Sequence, residues 1–194
     1  RIAGEIGYCG AGDQPSHSGI LPHFGEEPPL VGTGGAGTIF FTHCNLRCVF
    51  CQNYQISRGE CGEIISVGQL AEEMLKLQLQ GVSNIEPVSP THQMHLFLEA
   101  LGIASEKGLN LPVVYNSGGY DSVEALKLLR GVVHVYMPDL KYADSRMAAR
   151  YSDCPDYVEF ARDAVKEMYD QVGELELDSE GRAIKGLIIR HLVL

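Results

Sequence analysis

The chain has no tryptophan, and no stretch of it approaches the ~20 consecutive apolar residues of a membrane-spanning helix. No charged segment leads into an apolar one in the manner of a secretion signal, so the expected location is cytoplasmic. Basic residues are few: Lys plus Arg total 15 against 25 Asp plus Glu, giving a formal net charge of -10. The pI is near 5.1. No basic run is interleaved with aromatics, which argues against a nucleic-acid partner. A second C-x2-C pair and an H-x3-H pair are also missing, and the four-ligand pattern of a structural zinc knuckle with them. Six cysteines would suffice for three disulfides, but a single domain of 194 residues, 45% hydrophobic, buries a core without such staples.

What is present centres on Cys44-Asn45-Leu46-Arg47-Cys48-Val49-Phe50-Cys51. Three thiols in a C-x3-C-x2-C array directly follow the β-branched and aromatic run Thr38-Ile39-Phe40-Phe41-Thr42. A strand therefore delivers them on a loop at its carboxyl end, where parallel α/β folds keep their chemistry. Close thiolates are soft ligands for iron-sulfur clusters, zinc or copper. Cys9, Cys61 and Cys154 each stand alone in the sequence and are read as structural. His43 precedes the first cysteine, but neighbours on a loop point apart, which leaves it outside the ligand set. His92 and His95, spaced i, i+3 without a carboxylate, read as a solvated helix face.

Residues 1–37, rich in Gly and Pro, show neither hydrophobic period and read as an irregular N-terminal extension. They include Glu26-Glu27-Pro28-Pro29 and end on Gly32-Thr33-Gly34-Gly35-Ala36-Gly37. This last matches G-x-G-x-x-G in the wrong context, since the run precedes a strand instead of following one and opening a helix. Close backbone approach is the better reason for its glycines.

Beyond the cysteines, helix and strand alternate. Ser66 with Gln69 forms a capping box ahead of Leu70, Met74 and Leu77. A strand follows at 83–88, then a helix capped by Thr91, a strand at 112–115, and a helix begun by Asp121 or Ser122. The apolar run at 132–137 is a strand covered on both faces. Asp156 caps a longer helix, residues 174–184 form a hairpin, and the run at 186–194 is the fifth strand. The chain opens on Arg1 and stops inside that run, so it reads as a piece of a longer protein. Alternating βα units imply a parallel sheet, in a barrel or part of one.

Residues 37–194 resemble the pyruvate formate-lyase activating enzyme-like branch of the radical S-adenosylmethionine (SAM) superfamily. The resemblance is carried by Gly37-Thr38-Ile39-Phe40-Phe41, the cysteine loop through Tyr54, Tyr115-Asn116-Ser117-Gly118-Gly119-Tyr120, Pro138-Asp139-Leu140-Lys141-Tyr142, and the run from Ile189 and Arg190 onward. It implies an α/β fold, a partial (β/α) barrel with about five of six βα units, filling residues 38–194. It implies a 4Fe-4S cluster on Cys44, Cys48 and Cys51, with one iron left to bind SAM. It places Phe50, Ser89, Asn116, Ser117, Met137, Asp139, Lys141 and Arg190 around that cofactor. The implied activity is reductive cleavage of SAM to a 5′-deoxyadenosyl radical that takes hydrogen from a substrate, such as a glycine of a glycyl radical enzyme. The implied electron donor is a flavodoxin or ferredoxin. The chain departs from the pattern twice: Glu86-Pro87-Val88-Ser89-Pro90-Thr91 replaces a Gly-Gly-Glu motif, and Asn116-Ser117 replaces an Asp-Thr pair. These departures keep open an iron-sulfur electron-transfer or sensing module without SAM cleavage.

Overall fold

The computed structural model describes residues 5–59 and 61–192. Along them run β1 (Ser16–His23), α1 (Pro28–Val31), β2 (Ala36–Phe41), α2 (Tyr54–Ser57), β3 (Glu63–Ile64), α3 (Val67–Leu79), β4 (Ile85–Val88) and α4 (Met94–Glu106). There follow β5 (Val114–Ser117), α5 (Val123–Lys127), β6 (Val135–Pro138), α6 (Ser145–Ser152), α7 (Tyr157–Val172), β7 (Glu176–Leu177) and β8 (Ala183–Leu187).

The strand order is β3-β1-β2-β4-β5-β6-β8-β7. Five of these strands, β2, β4, β5, β6 and β8, pair in parallel, with helices in every crossover. β1 and β3 extend one edge antiparallel and β7 the other, so the sheet stays open. This is the partial βα barrel expected from the alternation of elements.

Side chains alternate across the parallel strands, as the period of two requires. Ile39, Phe41, Ile85, Tyr115 and Tyr136 face outward onto Leu70, Met74 and Leu77 of α3, Phe97 and Ala100 of α4, and Met168 of α7. Val114, Val135 and Met137 face inward and meet Leu30 of α1 and Ala183. α3 begins with the expected capping box of Ser66 and Gln69. Gly34 and Gly37 also behave as expected: a Cβ would come within 1.9 Å of the Gly81 carbonyl oxygen at the first and 2.4 Å of that of Asn84 at the second.

Four expectations need correction. The stretch read as irregular contains β1, which pairs with β2 from His17↔Phe41 to His23↔Ala36. Its weak local pattern is overridden by tertiary pairing, and the Gln93 side chain pins its first residue by accepting from Ser16 N at 2.8 Å. Thr91 does not cap α4, whose N-cap is Gln93, but donates to Asp121 at 2.7 Å; Asp156 is the N-cap residue of α7 as expected, with its side chain accepting from the Tyr120 hydroxyl and not from a helix amide. The fifth parallel strand is Ala183–Leu187, which is also the second arm of the hairpin. The expected strand at 186–194 is thus displaced towards the N-terminus, and Val193 and Leu194 lie outside the described residues. His92 is buried against the Thr42 carbonyl oxygen at 2.8 Å, whereas His95 is exposed, so the two do not share a solvated face.

Candidate active site at the sheet rim

β2 ends at Phe41, and the chain then turns through His43, whose φ of 67° is left-handed, into the cysteine loop. The His43 ring packs against Gly10 and Gly59. Cys44 Sγ accepts from Leu46 N at 3.4 Å, and the Cys51 thiol donates to Ser57 Oγ at 3.4 Å. Cys48 Sγ accepts from Ser152 Oγ at 2.9 Å. The loop is clamped from both sides. Arg47 N and Val49 N donate to the carbonyl oxygens of Ser152 and Tyr151 at the end of α6, and Asn45 Nδ2 donates to the Tyr120 carbonyl oxygen at 2.8 Å.

The Cys44 thiol is pushed up to about 11, chiefly by burial, with further raising by Cys48 and Cys51. The three thiols thus feel one another, and cationic iron would relieve that repulsion as each thiol gives up its proton. Among the described residues no three His, Cys, Asp or Glu side chains converge as on a single metal ion. A 4Fe-4S cluster can be held by one thiolate on each of three irons, whereas a structural zinc takes four protein ligands. The donor set therefore fits the cluster better than zinc.

A second group lines the inside of the barrel. Asn116 projects inward from β5; its Nδ2 donates to Glu86 Oε1 at 2.8 Å, and its Oδ1 accepts from Arg190 at 2.7 Å. Arg190 Nε donates to Asp139 Oδ1 at 2.9 Å, and Lys141 Nζ to Asp139 Oδ2 at 2.6 Å. Arg190 reaches the rim because the ladder between β6 and β8 continues past Leu187: Leu140 N donates to the Arg190 carbonyl oxygen, and Arg190 N to that of Pro138. From below, α1 brings Glu26 and Glu27 to within 3.5 and 3.7 Å of the guanidinium.

Glu86 is 0% exposed, and its Oε2 is buried without a hydrogen bond. Burial and the facing Glu26 carboxylate push its carboxyl up to about 8, against the opposing pull of Asn116 and Arg190. Glu26 is raised as well, first by burial. Each of the two facing carboxyls therefore holds its proton more tightly than a solvated one.

The structure thus brings Asn116, Asp139, Lys141 and Arg190 together beside the cysteine loop. It does not bring Ser117 in: its hydroxyl faces the other way and donates to Asp121 at 2.8 Å, because neighbouring residues of a strand point to opposite faces. Met137 is wholly buried among Leu30, Val114 and Val135, with no side-chain polar contact. Ser89 forms the turn after β4 at φ 52°, its amide donating to the Asn116 carbonyl oxygen at 2.8 Å. Phe50 packs beneath the loop, its ring edge-on to Tyr142 with centroids 6.1 Å apart.

Sequence reasoning passed over Glu26, Glu86, Ser152 and Tyr157. The Tyr157 hydroxyl ties two rim segments to α7, accepting from Lys141 N at 3.0 Å and lying 2.6 and 2.9 Å from the carbonyl oxygens of Asp139 and Gly118. A signal existed for Glu86 alone, a carboxylate interrupting the apolar Ile85-Glu86-Pro87-Val88.

An arrangement with paired cations and carboxylates beside three thiols suits a zwitterionic amino-acid group held next to a cluster. In comparison with known proteins, the sequence model of the radical SAM superfamily matches residues 38–172. An uncharacterized protein of Methanocaldococcus jannaschii, MJ0674, is 33% identical over 196 aligned positions, covering 98% of this chain and 52% of the relative. The chain therefore spans about half the length of that curated relative.

Proposed function

The chain belongs to the radical SAM superfamily, whose members use a 4Fe-4S cluster and S-adenosylmethionine, and from that premise we propose that its rim binds both. Cys44, Cys48 and Cys51 would hold the cluster by one iron each, leaving one iron for SAM. The chemistry those groups supply when bound is reductive cleavage of SAM to a 5′-deoxyadenosyl radical. The observation that carries the reading is the Asn116, Asp139, Lys141 and Arg190 network, which reaches the thiols through the charge of Lys141 acting on Cys44. Lys141 and Arg190 offer donors to the SAM carboxylate, while Asp139 and the Asn116 amide oxygen accept from its ammonium. The Ser89 turn adjoins that network through its amide on the Asn116 carbonyl oxygen, and Phe50 would reach the cofactor from the cysteine loop.

The finer reading, that the radical takes hydrogen from a glycine of a glycyl radical enzyme with flavodoxin or ferredoxin as electron donor, rests on the resemblance of the motifs alone. A second reading, an electron-transfer or sensing module, is favoured by Glu86 through Thr91, which stand in place of a Gly-Gly-Glu motif. Anaerobic reconstitution followed by incubation with SAM and dithionite separates the two. We expect 5′-deoxyadenosine from the wild type, and loss of most bound iron in Cys44→Ala. A fully loaded wild type that leaves SAM intact favours the second reading. Full iron and SAM cleavage in Cys44→Ala would refute the ligand assignment.

A further inference from the structure

Beneath the cysteine loop two hydroxyls, Ser152 from the end of α6 and Tyr142 from the loop before that helix, lead to one sulfur. Ser152 Oγ lies 2.9 Å from Cys48 Sγ, and the Tyr142 hydroxyl lies 2.6 Å from Ser152 Oγ. We propose that Tyr142 and Ser152 form a hydroxyl relay that donates a hydrogen bond to the Cys48 sulfur and raises the reduction potential of the cluster held there. This inference rests on the reading that Cys48 is a cluster ligand.

The direction of the relay follows from proton counting. A metal-bound thiolate has no proton and only accepts, so Ser152 must spend its single O–H on the sulfur. The Ser152 oxygen is then left to accept, and Tyr142 is the donor that reaches it. Burial raises the Tyr142 phenol, which keeps that donor protonated.

The distance is fixed by backbone as well as by side chains. Arg47 N donates to the Ser152 carbonyl oxygen at 3.1 Å and Val49 N to that of Tyr151 at 2.8 Å, so one neighbour of Cys48 is tied to Ser152 itself and the other to the residue before it. α6 stops there because Asp153 adopts the left-handed conformation at φ 53°, which turns Cys154 back so that its amide donates to the Ala148 carbonyl oxygen. Ser152 is 1% exposed and Tyr142 9%, which limits competition from water. A serine at a helix end serves a merely structural role by bonding back to a carbonyl of its own helix. Ser152 bonds instead to a sulfur 104 residues away in sequence.

A hydrogen bond to a ligating sulfur withdraws electron density from the iron and favours the reduced, more negative cluster. Ser152 and Tyr142 are thus positioning residues that act through Cys48. Ser152→Ala leaves the sulfur without its donor, and Tyr142→Phe keeps the ring while removing the polarising hydroxyl.

The test is a redox titration of anaerobically reconstituted protein without SAM, followed by electron paramagnetic resonance, with iron and sulfide assayed in parallel. Ser152→Ala is expected to keep its iron and become about tenfold harder to reduce, equivalent to a midpoint about 59 mV more negative for a one-electron couple. Tyr142→Phe is expected to move the same way by less, and Ser152→Thr, which keeps a hydroxyl, to lie closer to wild type than Ser152→Ala. An unmoved midpoint in an iron-replete Ser152→Ala overturns the relay. Should that variant fail to assemble, an unmoved midpoint in Tyr142→Phe overturns it instead. Cys48→Ala keeps the two failures apart: a full cluster in that variant refutes the ligand reading itself, whereas iron loss there together with an unmoved Ser152→Ala midpoint refutes the relay alone.

Discussion

Folding stability should fall as pH rises from about 4.5 to about 8, and Glu86 should be a principal cause. Its carboxyl is wholly buried, faces Glu26, and is raised from 4.5 to about 8, with Asn116 and Arg190 opposing the shift. A carboxyl raised by folding binds its proton more tightly in the native state. Its contribution is therefore fully present below the unfolded pKa and is lost as pH climbs through the folded one. The ceiling is one proton, or about tenfold in the folding constant per pH unit across that window. Glu26 and Asp121 are raised too and add to the slope with the same sign; His17, lowered by burial, opposes it below its ordinary value; and Cys44, at about 11, titrates above the window. Glu86→Gln keeps an oxygen to accept from Asn116 and cannot ionise. Urea unfolding of the metal-free chain at successive pH values should therefore show a shallower decline in the variant than in wild type. Parallel curves for the two would refute the assignment of the buried proton to Glu86.

Two further outcomes follow from the geometry. Asp139→Ala or Lys141→Met should retain iron but weaken SAM binding and slow 5′-deoxyadenosine formation, since displacing a reacting group by about 1 Å costs on the order of a hundredfold in rate; unchanged SAM affinity and turnover in both would leave their contact at 2.6 Å as a structural ion pair. Gly34→Ala should destabilise the fold by about 1–3 kcal/mol, because the added methyl meets the Gly81 carbonyl oxygen at 1.9 Å and backbone must move; an unchanged thermal midpoint would show that the close approach is relaxed in solution.

The parts of the molecule legible in the sequence are those whose cause is local. The cysteine trio announces itself by spacing, the capping box of Ser66 and Gln69 by its two residues, and the apolar run around Val135 by its length. β1 was hidden because its case for being a strand is made by β2, on the other side of a Pro- and Gly-rich loop and α1. The displaced last strand has a similar origin: Ala183 and Lys185 are held by β7 and Gly186 and Leu187 by β6, whereas beyond Leu187 the chain meets β6 through the Ile188 amide on Tyr136 and the bridge of Arg190 to Asp139.

The same distinction divides the site. The thiols that would hold iron lie within one octapeptide, so a motif suffices to find them. The groups around them arrive from elsewhere: Ser152 from the end of α6 and Tyr142 from the loop before it, both leading to Cys48, and Glu26 from the turn that leads into α1, facing Arg190 and Glu86. None has a periodic or spaced partner in the sequence, because each is selected by a distance across the fold. A replacement confined to the octapeptide is therefore expected to decide whether a cluster assembles. Replacements at Ser152, Tyr142 or Glu86 are expected to leave it assembled, with the first two changing the energy at which it accepts an electron and the third the pH at which the barrel around it holds together.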